Sequence, residues 1–149
     1  MTTEAKQATV EALSELLASS YTLYVKTHNY HWNVTGPMFS ALHALFEVQY
    51  TEMAIALDEI AERIRSLGAY APGSFSAFAE LSSVKEENSH PKAMEMVANL
   101  AADQEIIAGL AANVMAAAEA INDQVTVDLA VRRSDVHEKH AWMLRSHLE

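Results

Sequence analysis

Two histidines and three carboxylates stand in the first half of this chain at spacings that suit a transition metal. His31 lies in His31-Trp32-Asn33-Val34. His43 and Glu47 follow, and Asp58 and Glu62 make a second pair in Asp58-Glu59-Ile60-Ala61-Glu62-Arg63. Residues four apart on a helix share a face, so each pair can present two side chains together. The sequence has no cysteine, which excludes thiolate catalysis, a disulfide scaffold and zinc–thiolate or Cys-ligated iron–sulfur sites. Imidazole combined with carboxylate suits Fe(II), Mn(II) or Zn(II). Carboxylates are hard oxygen anions that stabilise a ferric product and can bridge two ions. Trp32, next to a ligand candidate, could shield the site or accept or relay an electron during oxidation.

Four long helices and one short one must position these groups. The first is expected over about Thr9–His31, with Val10, Leu13, Leu16, Leu17, Tyr21, Tyr24 and Val25 recurring at three and four. Thr35-Gly36-Pro37 punctuates it. The second runs from about Pro37 to Leu67 on Leu42, Leu45, Phe46, Met53, Leu57, Ile60 and Ile64, and Gly68 is its stop. Phe75–Leu81 reads as a short helix, and Ser82–Asn88 as a polar connection. The third long helix is expected from Pro91 to about Ala118 on Met94, Val97, Leu100, Ile107, Leu110, Val114 and Met115. The fourth is expected from Asn122 or Asp123 to about Leu148, with Ile121, Val125, Leu129, Val136, His140 and Met143 near one side. The chain is long enough for one domain, residues 1–149, with a bundle core over about 9–148. The fold class is therefore all-α: a ferritin-like four-helix bundle with a long crossover between its second and third helices, the crossover carrying the short extra helix.

Helical geometry constrains where a metal can sit. With His43 at 0°, Glu47 falls near 40°, Asp58 near 60° and Glu62 near 100°, all on one side of the second helix. Along the axis, however, His43 and Asp58 are about 22 Å apart, whereas metal–ligand bonds are about 2 Å. One ion cannot reach both within one chain. Two copies of the helix, packed antiparallel across a two-fold axis, bring the His43/Glu47 end of one to the Asp58/Glu62 end of the other. His31 folds back beside His43 through the Gly-Pro turn. The expected site is His31, His43 and Glu47 of one subunit with Asp58 and Glu62 of its partner, two sites per dimer. Taken singly, each residue has an ordinary reading. A bundle histidine is commonly core or surface, and Asp58 and Glu62 also fit a solvated face with Asp58 in reach of Arg65. His28, one turn before His31, reads as a supporting group, an extra ligand or a partly exposed histidine. His137, His140 and His147 are explained well enough by a helix C-terminus.

Composition narrows the function classes. Twenty Asp and Glu against ten Lys and Arg give a net charge of -10. The basic residues are scattered, whereas nucleic-acid binding proteins usually mass them. An acidic surface attracts cations and fits a cytoplasmic location. Met1–Glu11 lacks the apolar core of a secretory signal. No stretch is long and apolar enough to span a bilayer, Ile106–Val114 being broken by Gly109 and Asn113.

The chain resembles the Dps family, small ferritin-like proteins of bacteria named for DNA protection in starved cells. The resemblance covers Leu16–Leu148. It is carried by His31-Trp32-Asn33-Val34-Thr35-Gly36, by Phe39 with Leu42-His43-Ala44-Leu45-Phe46-Glu47, and by Asp58-Glu59-Ile60-Ala61-Glu62-Arg63-Ile64-Arg65-Ser66-Leu67-Gly68. It continues in Asp123, Thr126 and Asp128, Glu138-Lys139-His140 and Trp142-Met143-Leu144-Arg145. It implies a hollow homo-dodecamer built from two-fold dimers, with ferroxidase sites at the two-fold interfaces. Each site would take two iron ions, on His31, His43, Asp58 and Glu62 with Glu47 completing the weaker position. Large ferritins instead place their site inside one bundle. The implied chemistry is oxidation of Fe(II) by hydrogen peroxide, or more slowly by O2, with ferric oxyhydroxide stored in the cavity. Asp123 and Asp128 match acidic residues near an iron-entry pore, although an N-cap and a surface residue explain them equally. The rival function is a nucleoid- or DNA-binding protection protein with incidental iron binding. Members that bind DNA usually carry a Lys/Arg-rich tail, which this sequence lacks. The expectation is little or no direct DNA binding at neutral pH.

Overall fold

The computed structural model describes residues 2–149, and its regular elements are five helices. They are α1 (Thr3–Asn33), α2 (Phe39–Ser66), α3 (Phe75–Leu81), α4 (Ala93–Ala120) and α5 (Gln124–Arg145). α1 packs against α2 and α4, α4 against α5, and α3 lies on α1. α1–α2 and α4–α5 are joined by short turns, and residues 67–92 form the crossover. This is the expected bundle. Among the described residues no helix is long and apolar enough to cross a membrane.

The helix ends follow local chemistry. α1 starts at Thr3 rather than Thr9, because the Thr2 hydroxyl accepts the Ala5 amide at 3.2 Å and Glu4 complements the first turn. A cap and good helix formers extend the helix past its apolar stripe. α2 starts at Phe39, and Pro37 belongs to the turn before it. Gly36 (φ +104°) and Gly68 (φ +94°) take backbone conformations that a Cβ would strain. α4 starts at Ala93 because Pro91 lies in the extended approach to its cap, Lys92. Asn122 turns the chain with φ +57°, and α5 ends at Arg145, before the expected Leu148.

The core contains most of the expected stripe. Leu13, Leu16, Leu17, Leu42, Phe46, Met53, Ile60, Ile64, Val97, Leu100, Ile107 and Val114 are buried together. Each large side chain so buried contributes about 1.5–3 kcal/mol. Val25, Met94 and Val125 are instead exposed. The Val125 correction has a clear cause. The buried side of α5 is Thr126, Leu129, Ala130, Arg133, His137, His140, Ala141 and Leu144, so polar residues occupy it and Val125 is rotated outward. The polar connection is also less free than its composition suggests. Val84 is buried, the Ser83 amide donates to Ser19 Oγ, Lys26 donates to the Lys85 carbonyl, and the Tyr30 hydroxyl donates to Glu87 at 2.6 Å. Lys26 also pairs with buried Asp103 at 2.8 Å, tying α1 to α4.

His137 and His140 do not cap a helix end. His137 is fully buried, donates from Nδ1 to Gln104 Oε1 at 2.6 Å and accepts from Arg133 at Nε2. His147 does behave as expected, its Nδ1 lying 3.0 Å from the Met143 carbonyl. Burial, then the Arg133 charge and His140, hold His137 well below its ordinary value, and burial lowers His140 too. Both histidines therefore stay neutral in the folded chain while the unfolded chain titrates near 6.5. As pH falls through that value the unfolded state binds more protons, and stability drops. The melting temperature should be level in this respect above about pH 7 and fall steadily below about pH 6.5. A calorimetric series from pH 8 to 5 that showed no acid-side fall would contradict this account.

Candidate metal centre

His31 ends α1 and His43 sits one turn into α2, and the Gly36 turn lays their rings face to face. The centroids are 3.8 Å apart with planes inclined by 13°. His31 Nδ1 lies 2.7 Å from the His43 carbonyl, and His43 Nδ1 lies 2.7 Å from the His31 carbonyl. A carbonyl only accepts, so both Nδ1 atoms carry the proton and donate. In a neutral imidazole the lone pair is then on Nε2. A ring-nitrogen hydrogen bond to a carbonyl is the usual way a protein fixes a metal-binding histidine. Phe39 closes the other face of His43, at 5.0 Å between centroids.

Both free nitrogens belong to a site open on one side. His31 is buried and His43 half-buried. Glu47 reaches His31 Nε2 at 3.8 Å while 59% of its side chain is exposed. Asp58 and Glu62 are exposed further along α2, and among the described residues neither takes part in an ion pair, including the Asp58–Arg65 pair the sequence allows. Between the two ends, the exposed side of α2 carries Ala44, Val48, Thr51, Ala54 and Ile55, which are small or apolar. Among the described residues no three His, Asp or Glu side chains of one chain gather around a common point. The structure thus stacks His31 on His43, sets Glu47 3.8 Å from His31 Nε2, and leaves Asp58 and Glu62 further along α2.

Trp32 is 67% exposed beside the histidines, its ring 5.1 Å from that of His28. His28 stacks on Tyr50 at 3.7 Å, and Tyr50 stands edge-on to His31 at 5.2 Å. Burial, then the nearby His31, lower the His28 pKa. Sequence reading missed Tyr50 as a neighbour of the site, although it lies three residues after Glu47, on the same side of the helix. Asp123 caps α5 through the Thr126 amide and pairs with Arg63 at 2.9 Å. Asp128 is exposed and pairs with Arg132 at 3.0 Å. Both acids thus have structural partners.

Residues 10–149 match the model of the ferritin-like domain. An uncharacterized low temperature-induced protein of Nostoc sp. is 42% identical over 151 positions, spanning all of this chain and 84% of its own. The crystal structure of a Dps protein from Bacillus brevis superposes with a TM-score of 0.96 at 36% identity, covering both chains in full. The Dps protein of Vibrio cholerae O1, described as a member of a broad superfamily of ferritin-like diiron-carboxylate proteins, gives 0.95 at 32% identity, over all of this chain and 94% of that one.

The paired histidines make a spectroscopic prediction. In the metal-free protein at pH 8, long-range nitrogen–proton spectra of labelled histidine should show both His31 and His43 protonated at Nδ1. An Nε2-protonated form of either would contradict the reciprocal hydrogen bonds.

Proposed function

The chain belongs to the Dps family of ferritin-like proteins, and on that premise we propose that it is a ferroxidase that detoxifies and stores iron. Its substrates are Fe(II) and hydrogen peroxide, or more slowly O2. Its sites are shared between two subunits, and the ferric product collects in a dodecameric cage. The observation that carries this reading is the reciprocal His31–His43 hydrogen bonding, which leaves both Nε2 lone pairs free, with Glu47 3.8 Å from that of His31.

The spacing on α2 supports a two-fold site. Glu47 and Asp58 are equidistant from the Glu52–Met53 peptide bond, and so are His43 and Glu62. An antiparallel copy centred there sets Glu62 against His43 and Asp58 against Glu47. The small and apolar side chains between the two ends suit close helix packing. His31 and His43 then bind one iron with the partner's carboxylates, and Glu47 completes the second, weaker position. Two Fe(II) ions each give one electron to a peroxide, the O–O bond breaks, and two protons complete two waters. No hydroxyl radical is released. Trp32, exposed at the rim, either shields the iron or relays an electron. The net charge of -10 per chain favours iron entry and opposes direct DNA binding. Asp123 and Asp128 are proposed to line the entry path in addition to their structural pairings. The proposed location is the cytoplasm, which the acidic composition fits.

Anaerobic loading with Fe(II) followed by peroxide should consume about two Fe(II) per peroxide, as a two-electron metal oxidation requires. Oxidation no faster than in protein-free buffer would refute the ferroxidase reading. Subunit sharing has its own test. A chain carrying His43→Ala and a chain carrying Asp58→Ala should each be inactive alone. Mixed dimers reassembled from the two keep one intact site and should regain activity. If mixing restores nothing, the two halves of the site do not come from different subunits.

A further inference from the structure

A stripe of aromatic rings runs beside the imidazole pair, and iron oxidation as proposed uses none of it except Trp32. Tyr21, Tyr24, His28 and Trp32 stand three and four residues apart on α1, so they share one face. Tyr50 joins them from α2. The rings are in series. Tyr50 stands 5.2 Å from His31 and 6.1 Å from Tyr24, and Tyr24 is 5.7 Å from Tyr21. His28 lies against both Tyr50 and Tyr24, at 3.7 and 4.7 Å. At the far end, Tyr21 and Tyr24 line a groove between α1 and α2 whose wall includes Asp58. Ten residues of α1 separate Tyr21 from His31, which is about 15 Å along the axis. The series therefore connects, inside one chain, the two ends of α2 that no single ion can join. Tyr21, Tyr24 and Tyr50 are half-buried, and among the described residues their hydroxyls make no hydrogen bond to protein. The hydroxyl of buried Tyr30, in contrast, donates to Glu87 and accepts from Asn99. The fold does not use the three phenol groups, and a phenylalanine ring would pack in their place. What the phenol adds is an electron and a proton that can leave and return.

We propose that Tyr50, Tyr24 and Tyr21 are an electron relay between the two half-sites that one chain carries. The proposal rests on the two-fold dimer above, in which the His31/His43 end belongs to one iron site and the Asp58 end to the other. Because the position completed by Glu47 is the weaker, each site holds one Fe(II) when iron is scarce. A peroxide at one site takes one electron from that Fe(II) and needs a second to form two waters without releasing hydroxyl radical. The relay delivers it. A tyrosine gives an electron toward the peroxide and its phenol proton to solvent. Fe(II) at the other site returns the electron and becomes Fe(III), and the phenol regains a proton. In sum, two Fe(II), one peroxide and two protons give two Fe(III) and two waters. Trp32, 5.1 Å from His28, links the same stripe to the surface.

The test has an iron arm and a metal-free arm. At one Fe(II) per chain the parent should consume about two Fe(II) per peroxide and yield no spin-trapped hydroxyl radical. Tyr24→Phe keeps the ring and should fall toward about one Fe(II) per peroxide, with trapped radical appearing. The difference should close at two Fe(II) per chain, where each site holds both electrons. Tyr70→Phe, on an exposed ring outside the stripe, should behave as the parent. A Tyr24→Phe protein that matches the parent at one Fe(II) per chain overturns the relay and leaves the ferroxidase reading standing. So does one that is impaired equally at both loadings, which would mark a structural role. A parent that oxidises no iron at any loading sinks the ferroxidase reading instead, and the second arm then judges the relay alone. In metal-free protein carrying Trp142→Phe and Tyr70→Phe, flash oxidation of Trp32 by a ruthenium photo-oxidant should pass to a tyrosyl radical. Adding Tyr24→Phe and Tyr50→Phe should abolish that transfer. No transfer, or transfer that survives both substitutions, overturns the proposal.

Discussion

An α-helix advances about 1.5 Å per residue and does not fold back. That constraint governs the arrangement of this molecule. His43 and Glu47 near one end of α2, and Asp58 and Glu62 near the other, share a helix side and cannot share an ion within the chain. The proposed site therefore depends on a second copy, and any catalysis there is tied to assembly. What one chain does complete is the imidazole half. The turn at Gly36 sets α1 against α2 so that two backbone carbonyls fix two histidine tautomers. The hydrogen bonds that orient the two rings are all internal to one chain, so in the proposed site this half would be prepared before a second copy arrives.

The interior of the bundle uses polar chemistry differently. The Lys26–Asp103 pair and the Glu52–Arg133–His137–Gln104 series are buried or nearly so, and each joins helices from different parts of the sequence. Isolated, these groups would be costly to remove from water. Paired, they specify which helix faces meet. Lys26 also donates to a carbonyl of the crossover, and Tyr30 to Glu87 within it. A segment that reads as polar linker is in this way held to α1, with Val84 buried beneath it.

The apolar periodicity made the bundle legible. Leu13, Leu16, Phe46, Ile60 and Leu100 lie in the core because a repeat of three and four leaves them no other face. Periodicity misled where the core is polar. Arg133 and His137 are buried by their partners, which stand on α2 and α4, so a pattern of apolar residues along α5 could not find them and placed Val125 inside instead. Helix ends also departed from the apolar stripe, since caps such as Thr2 and Asp123 act through hydrogen bonds rather than hydrophobicity.

His31, His43, Glu47, Asp58 and Glu62 were legible as candidate ligands because residue type limits chemistry and helical spacing limits reach. The sequence by itself thus determined the fold class, and with it the rule that one chain cannot close this site. Tertiary structure alone decided the rest. It stacked His31 on His43 and fixed both rings through carbonyls that any sequence possesses. It placed Tyr50 against His31, gave Asp123 to Arg63, and put a guanidinium between Glu52 and His137. Each of these depends on an atom supplied by a distant segment, and distance in three dimensions is what a linear spacing does not encode.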